Sequence, residues 1–405
     1  MDIHSLRLPV GWEIKPMSNV VTWASGGTPK ASEKEYYENG NIPWLVIGDL
    51  NDGVVAKSQT KITEAGLNNS SAKMIPPNTL LVAMYGSIGK LGITGVSCCT
   101  NQAIAFAKEL HSVSTKYMFY YMAMMKSTLI SLGKGGTQKN ISQSVLKSLD
   151  VIVPPLEEQS RIVARIDELF SELDKAVDTL KTTKEQLAVY RQAVLNSSFR
   201  DLERNYKLKD ISQSLSGYAF KSKLYTPAGK YAVVKIGNVK AGYFDFTKDL
   251  TRTDEVNDKI LEKYLLKKGD CLITLTGTRG KRDYGYVSMV EKQVNFLLNQ
   301  RVAALRFDSQ KCYSDFYKYY LSSSEYRNQF FKYETGNVGQ GNVGIKALSE
   351  PLVPLPPMKK QKEIVCLIEK HLSVCDSIEK TVDTALAQAD AMRQSILKQA
   401  FEGKL

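Results

Sequence analysis

Apolar residues recur every seven positions along two stretches of this chain. In the first, Ile166, Leu173, Leu180, Leu187 and Val194 stand seven apart, and Ile162, Leu169, Ala176 and Tyr190 each precede a member of that series by four. The second repeats the register with Ile368, Cys375, Val382, Ala389 and Ile396, supported by Ile364, Ile378, Ala385 and Met392. That period is the seam of a coiled coil. Pro154-Pro155 and Pro356-Pro357 suit a helix's first turn, and the residues that follow, to Phe199 and Phe401, include neither proline nor glycine. The pattern predicts helices over 154–200 and 356–405. At 1.5 Å per residue each spans roughly 65 Å, more than one small domain needs to cover its core, so the two are expected to pair with each other. Because a second globular segment begins where the first helix ends, the second helix is expected to return antiparallel, with a globular domain at each end of one rod. His371 falls on the seam and reads as a register-setting polar residue rather than a ligand.

The segments before each helix, 1–153 and 201–355, alternate short β-rich runs (Leu80 to Met84, Cys271 to Thr276, Val302 to Phe307) with Gly, Asn and Pro. Each predicts an α+β domain with a mixed, β-rich body and a helix near Lys116 to Leu132 or Ser314 to Phe331. The two halves are copies of each other. Val153 through Phe199 aligns without a gap on Leu355 through Phe401 at a constant offset of 202, matching Gln159 with Gln361, Asp174 with Asp376, Arg191 with Arg393 and Phe199 with Phe401. Before that the offset drifts as loops differ: Ser25-Gly26 matches Ser216-Gly217, Gly86-x-x-Gly89-Lys90 matches Gly277-x-x-Gly280-Lys281, and Gln138-x-Asn140 matches Gln340-x-Asn342. The fold expected is therefore domain, helix, domain, helix, with pseudo-twofold symmetry.

Charge changes this picture once it is located. The net charge of +12 resolves into 14 basic against 10 acidic residues over 1–150, 25 against 17 over 201–352, and 15 against 15 elsewhere. The excess lies in the two globular segments, which suggests that each meets a polyanion while the helices do something else. The six cysteines occur in no CxxC spacing, and His4, His111 and His371 are the only histidines, so no metal site is expected. The first residues resemble no signal peptide and the richest apolar run is cut by Lys126; a cytoplasmic protein without a membrane span is expected.

Among the motifs, Gly86-Ser87-Ile88-Gly89-Lys90 and Gly277-Thr278-Arg279-Gly280-Lys281-Arg282 look like phosphate cradles but lack the spacing and the Ser or Thr of a nucleotide-binding P-loop. They read as tight turns that also bring amides and cations to DNA phosphates. Gly339 to Gly344 matches GxGxxG, yet its counterpart, Thr137 to Ser142, has no glycine; what persists is a Gln and an Asn, which can read adenine in the major groove. Those amides could instead bond their own loop. Asp49 and Asp52 face no acidic counterparts in the second copy, which argues against a nuclease centre.

With Pro-Pro-Leu-Glu-Glu-Gln-x-x-Ile opening the first helix and Gly-Gly-Thr-Gln-x-Asn-Ile spanning Gly135 to Ile141, the chain resembles, over essentially its whole length, the specificity subunits of type I restriction-modification enzymes. The resemblance implies two target-recognition domains reading a bipartite, asymmetric sequence in double-stranded DNA. It also implies a non-catalytic scaffold for two adenine-methyltransferase subunits and, through them, restriction/translocase subunits. S-adenosylmethionine, ATP and Mg would then sit on those partners and no cofactor on this chain. The second helix departs from the pattern with Lys359-Lys360 in place of Glu157-Glu158. Positive charge at a helix N-terminus is mildly unfavourable, and it would make the two docking faces unequal. A self-contained methyltransferase or nuclease, and a coiled-coil adaptor for other nucleic acid or protein, stay open as alternatives. Candidate DNA contacts are Trp44, Ser87, Lys90, Lys134, Thr137, Gln138, Lys139 and Asn140 in the first copy, and Thr278, Arg279, Lys281, Arg282, Tyr284, Asn337, Gln340 and Asn342 in the second. Candidate helix-pairing residues are Ile162, Ile166, Leu169, Leu173, Leu180, Leu187, Ile364, Ile368, Ile378, Val382 and Ile396.

Overall fold

Both long helices form where the heptads and the missing helix breakers place them, at Leu156–Phe199 and Met358–Phe401, each of 44 residues. They belong to a computed structural model that describes residues 3–136, 139–245, 250–254, 256–292, 295–337 and 339–405. The chain divides into two units, Met1–Leu180 with Thr384–Leu405, and Lys181–Asp383. The division cuts both helices, whereas the sequence suggested domains separate from their helices. The reason is that each helix end is part of a globular core.

In the first unit a sheet of five strands runs in the order Val21–Ser25, Ile104–Leu110, Leu80–Ala83, Leu91–Thr94, Gly53–Val55, antiparallel except for the last pair. Leu80–Ala83 and Leu91–Thr94 are buried at every position, which is why they read as continuous apolar runs rather than as alternation. A smaller sheet joins Ile42–Leu45 antiparallel to Thr60–Ile62 and parallel to Cys99–Thr100, and Glu13–Pro16 pairs with Asp150–Val153. The second unit repeats this plan. Its main sheet runs Ser212–Ser216, Val302–Phe307, Cys271–Thr274, Val287–Met289, and the smaller one joins Tyr231–Val234 to Arg252–Thr253 and Phe296–Leu298. Tyr206–Lys207 pairs with Leu352–Val353. The paired glycines of the repeat are explained by close approach: a Cβ on Gly26 would lie 1.9 Å from the carbonyl oxygen of Thr100, and one on Gly217 1.9 Å from that of Asn299.

Phe401, fully buried, enters the first unit's core edge-on to Tyr117 and Tyr121, with ring centroids 5.2 and 5.1 Å away. Phe199 does the same in the second unit against Phe316 and Tyr320, both at 5.3 Å. Such a ring contributes about 1.5–3 kcal/mol by burial and about 0.5–1.5 kcal/mol more for each edge-to-face contact. Ile162 and Ile166, expected to bury against the other helix, pack in the same cluster as Tyr117, Leu397 and Phe401, and Ile364 and Ile368 pack in the cluster of Phe199 and Tyr320. These heptad positions therefore face a globular body as well as a helix.

Between those ends the helices pair antiparallel within each unit. In the second unit Leu187, Cys375 and Val382 are buried, Arg191 bonds Asp376 at 2.7 Å and Glu379 at 2.9 Å, and Lys184 bonds Asp383 at 2.6 Å. In the first unit Arg393 pairs with Asp174 and lies over the Phe170 ring at 5.1 Å. The repeat partners Asp174/Asp376 and Arg191/Arg393 are thus reciprocal: each arginine takes the aspartate of the other helix. Leu169, Leu173, Leu180 and Ile396 are half-buried. Ile378 is corrected: it is 40% exposed, because it stands to the side of the buried row of Cys375 and Val382. His371 meets the Tyr190 hydroxyl at 3.0 Å across the pair. No helix among the described residues is long and apolar enough to cross a membrane.

Candidate nucleic-acid interface

Two chain segments that the sequence singled out separately come together in each unit. In the first, Gly86 (φ +65°) and Gly89 (φ +74°) turn the chain after the buried strand Leu80–Ala83. The amide of Gly86 donates to the carbonyl of Lys139 at 3.1 Å and that of Ile141 to Met84 at 2.9 Å. Lys134 and Asn140 exchange backbone hydrogen bonds of 3.0 and 2.8 Å, closing the loop that carries them. Ser87, Lys134, Lys139 and Asn140 are exposed on this surface. Thr137 and Gln138 lie outside the described residues. Lys90 is half-buried and donates to the carbonyl of Ile47 at 3.3 Å. A shallow depression of about 690 Å³ between turn and loop is lined by Ser87, Lys90, Lys126 and Lys139. Lys126 is the residue that interrupted the apolar run; it bonds Asp52 at 3.0 Å.

In the second unit the same closure is a three-stranded sheet: Gly341–Val343 pairs with Thr276–Gly277 on one side and with Glu334–Thr335 on the other. Asn342 sits half-buried on the central strand and Asn337 and Gln340 are exposed at its approach. Among the described residues the side-chain amides of Asn140, Asn337, Gln340 and Asn342 make no hydrogen bond to their own loop. Arg279 donates to the carbonyl of Gly336 at 2.5 Å, tying turn to loop. The amide of Thr278 donates to Asp283 at 2.6 Å; this bond first, and the charge of Lys281 after it, hold the Asp283 carboxyl below its usual range. Lys281 and Arg282 are exposed.

Two candidates are corrected. Trp44 is only 8% exposed and its indole donates to the carbonyl of Gly27 at 2.9 Å. Tyr284 is fully buried with its hydroxyl on Glu334 at 2.5 Å, and burial, then that bond, push its phenol well above the usual value. Both aromatics are core anchors beneath the surface because their polar ends are satisfied inside. Behind the second turn stands a residue that sequence reasoning missed. Arg327, on the helix Ser324–Phe331, donates to the carbonyls of Gly285 at 2.7 Å and Arg282 at 2.9 Å. Desolvation, and then the charge of Arg282, lower its pKa.

Comparison with known proteins agrees with this duplicated plan. The family model described as type I restriction modification DNA specificity domain matches residues 9–187 and again 201–388. The chain is 26% identical over 431 residues to the type I restriction enzyme EcoKI specificity subunit of Escherichia coli K12, covering 98% of this chain and 90% of that one. It is 24% identical to the MjaVIII specificity subunit of Methanocaldococcus jannaschii, covering 100% and 95%. In fold it is similar to a solved chain from a study of assembly and conformational transition of the type I R-M system (TM-score 0.75, 16% identity, 98% and 100% covered). It is also similar to the HsdS subunit of Thermoanaerobacter tengcongensis (TM-score 0.54, 16% identity, all of both chains). A family match that falls once in each unit and takes in most of the sequence makes this chain a member of the type I restriction-modification DNA specificity family.

Proposed function

We propose that this chain is the sequence-reading subunit of a type I restriction-modification complex. Each unit reads one half of a bipartite, asymmetric target in double-stranded DNA. The observation that carries this reading is the closure of a glycine-rich turn onto an amide-bearing loop in both units, with different residues at the surface: Ser87, Lys134, Lys139 and Asn140 in one, Arg279, Lys281, Arg282, Gln340 and Asn342 in the other. The same backbone device carrying different side chains suits two half-sites of different sequence. The chain itself is proposed to be non-catalytic. It scaffolds two adenine-methyltransferase subunits and, through them, the restriction subunits, on which S-adenosylmethionine, ATP and Mg are held.

The helices supply the surface for this docking. Leu367, Val374 and Ile378 are 51%, 56% and 40% exposed along one helix, and their counterparts at the repeat offset of 202 are Arg165, Glu172 and Ala176. The two docking faces are therefore unequal in chemistry, one apolar and one largely polar.

A salt titration tests the reading. A DNA reader is expected to lose duplex affinity steeply with salt while keeping its preference for one bipartite sequence. Binding that ignores sequence at every salt concentration, or tight binding of S-adenosylmethionine by the isolated chain in calorimetry, would count against it.

A further inference from the structure

Three residues of the second unit's turn lie in the left-handed region: Gly280 at φ +82°, Arg282 at +50° and Gly285 at +68°. Arg282 is the unusual one, since a long side chain rarely adopts that conformation and keeps it only where its surroundings over-determine it. The surroundings here are one helix. From Ser324–Phe331, Arg327 grips the carbonyls of Arg282 and Gly285, Asn328 accepts from the Arg282 guanidinium at 3.5 Å, and Phe331 offers its ring face. The guanidinium carbon of Arg282 stands 5.0 Å from that ring's centroid and that of Arg327 5.2 Å. Two cations thus share one aromatic ring, and among the described residues neither has a carboxylate partner. Like charges held this close repel unless an anion answers them. The fork of Arg327 is spent on the turn's backbone, whereas Arg282 is exposed and its guanidinium makes one long bond, to Asn328.

Resting on the function proposed above, we propose that Arg282 contacts a backbone phosphate of the DNA beside the second half-site, and that Arg327 is the positioning residue that holds it there. Arg327 acts through geometry rather than charge: its planar fork holds two carbonyls in a fixed arrangement that lysine's flexible point charge does not reproduce. Among the described residues of the first unit, the cation that packs against the turn at Gly89, Lys126, is paired with Asp52.

The test uses the full chain and a duplex that it selects from a random-sequence pool. Arg282→Gln removes one phosphate contact. It is expected to weaken binding about tenfold, the worth of one charge-assisted hydrogen bond, and to reduce the slope of log affinity against log salt by about one. Arg327→Lys keeps the net charge and is nevertheless expected to give the same loss and the same reduced slope. The double variant is expected to be no weaker than Arg282→Gln alone, since one contact cannot be lost twice. An unchanged slope in Arg327→Lys, or losses that multiply in the double variant, overturns the positioning role. Parent affinity in Arg282→Gln overturns the phosphate contact, and carries the test alone if Arg327→Lys does not fold. If the parent chain selects no duplex at all, the proposed function fails first and this inference falls with it.

Discussion

Gln159 and Gln361 are each fully buried, and each makes the same three hydrogen bonds in its own unit. Gln159 donates to the carbonyls of Ser112 and Pro154 at 2.8 and 2.9 Å and accepts from the amide of Ser114 at 2.9 Å. Gln361 donates to Lys311 and Pro356, both at 2.8 Å, and accepts from Tyr313 at 2.7 Å. The first turn of each long helix is stitched in this way to the segment entering the domain's own helix. Replacing Gln159 by Leu is expected to cost about 1–3 kcal/mol for each backbone group left unsatisfied, read as a lower urea midpoint with an unchanged slope. A midpoint equal to the parent's would show that the clamp carries no stability. The repeat flagged these glutamines as a matching pair, but their role was not legible, because their partners are backbone atoms that no side-chain pattern encodes. The same limit explains Trp44 and Tyr284: sequence sees an aromatic beside polar residues, and only the fold shows the carbonyl and carboxylate that hold its polar end inside.

The long helices were legible to within a few residues, since periodicity and the absence of Pro and Gly act over many turns at once. The shorter ones were less so. A single helix expected from Ser314 to Phe331 is two, Ser314–Ser322 and Ser324–Phe331. Ser323 turns extended between them and caps the second through its hydroxyl, which accepts from Tyr326 at 3.3 Å. The apolar face continues across the break, so the pattern hides it. Phe401→Ala is expected to destabilise the first unit by about 3–5 kcal/mol, although the residue is 280 positions from Tyr121. Hydrogen exchange should show the loss in strands of residues 13–153 and not in those of 206–353; a loss confined to the latter would refute the assignment. Val374→Glu, placed on the exposed apolar stripe, is expected to leave folding intact and, if the chain docks two methyltransferase subunits as proposed, to weaken one docking, so that native mass spectrometry finds a complex short of one such subunit. Full assembly in that variant would remove the stripe from the docking surface.

At the scale of the whole chain, the duplication announced the order of parts before any coordinate was known, because offset matches survive divergence of the loops. What it left hidden was connectivity within each sheet. The parallel pairing of Ile42–Leu45 with Cys99–Thr100, and of Tyr231–Val234 with Phe296–Leu298, joins strands too distant in sequence for local pattern to link. If the units read independently, exchanging residues 1–150 for those of another specificity subunit is expected to alter one half of the methylated sequence and leave the other, as genome methylation mapping would report. Changes at both halves would contradict independent reading. A viable exchange has to keep the seat formed by Tyr117 and Tyr121, since the ring that fills it comes from elsewhere in the chain. That seat also fixes an order of events during translation. Residues 3–153 leave the ribosome before Leu397, Ala400 and Phe401, which belong to the same core, so that core is expected to stay incomplete until they emerge. The second unit by then already has Phe199, so the half that is synthesised first is completed last.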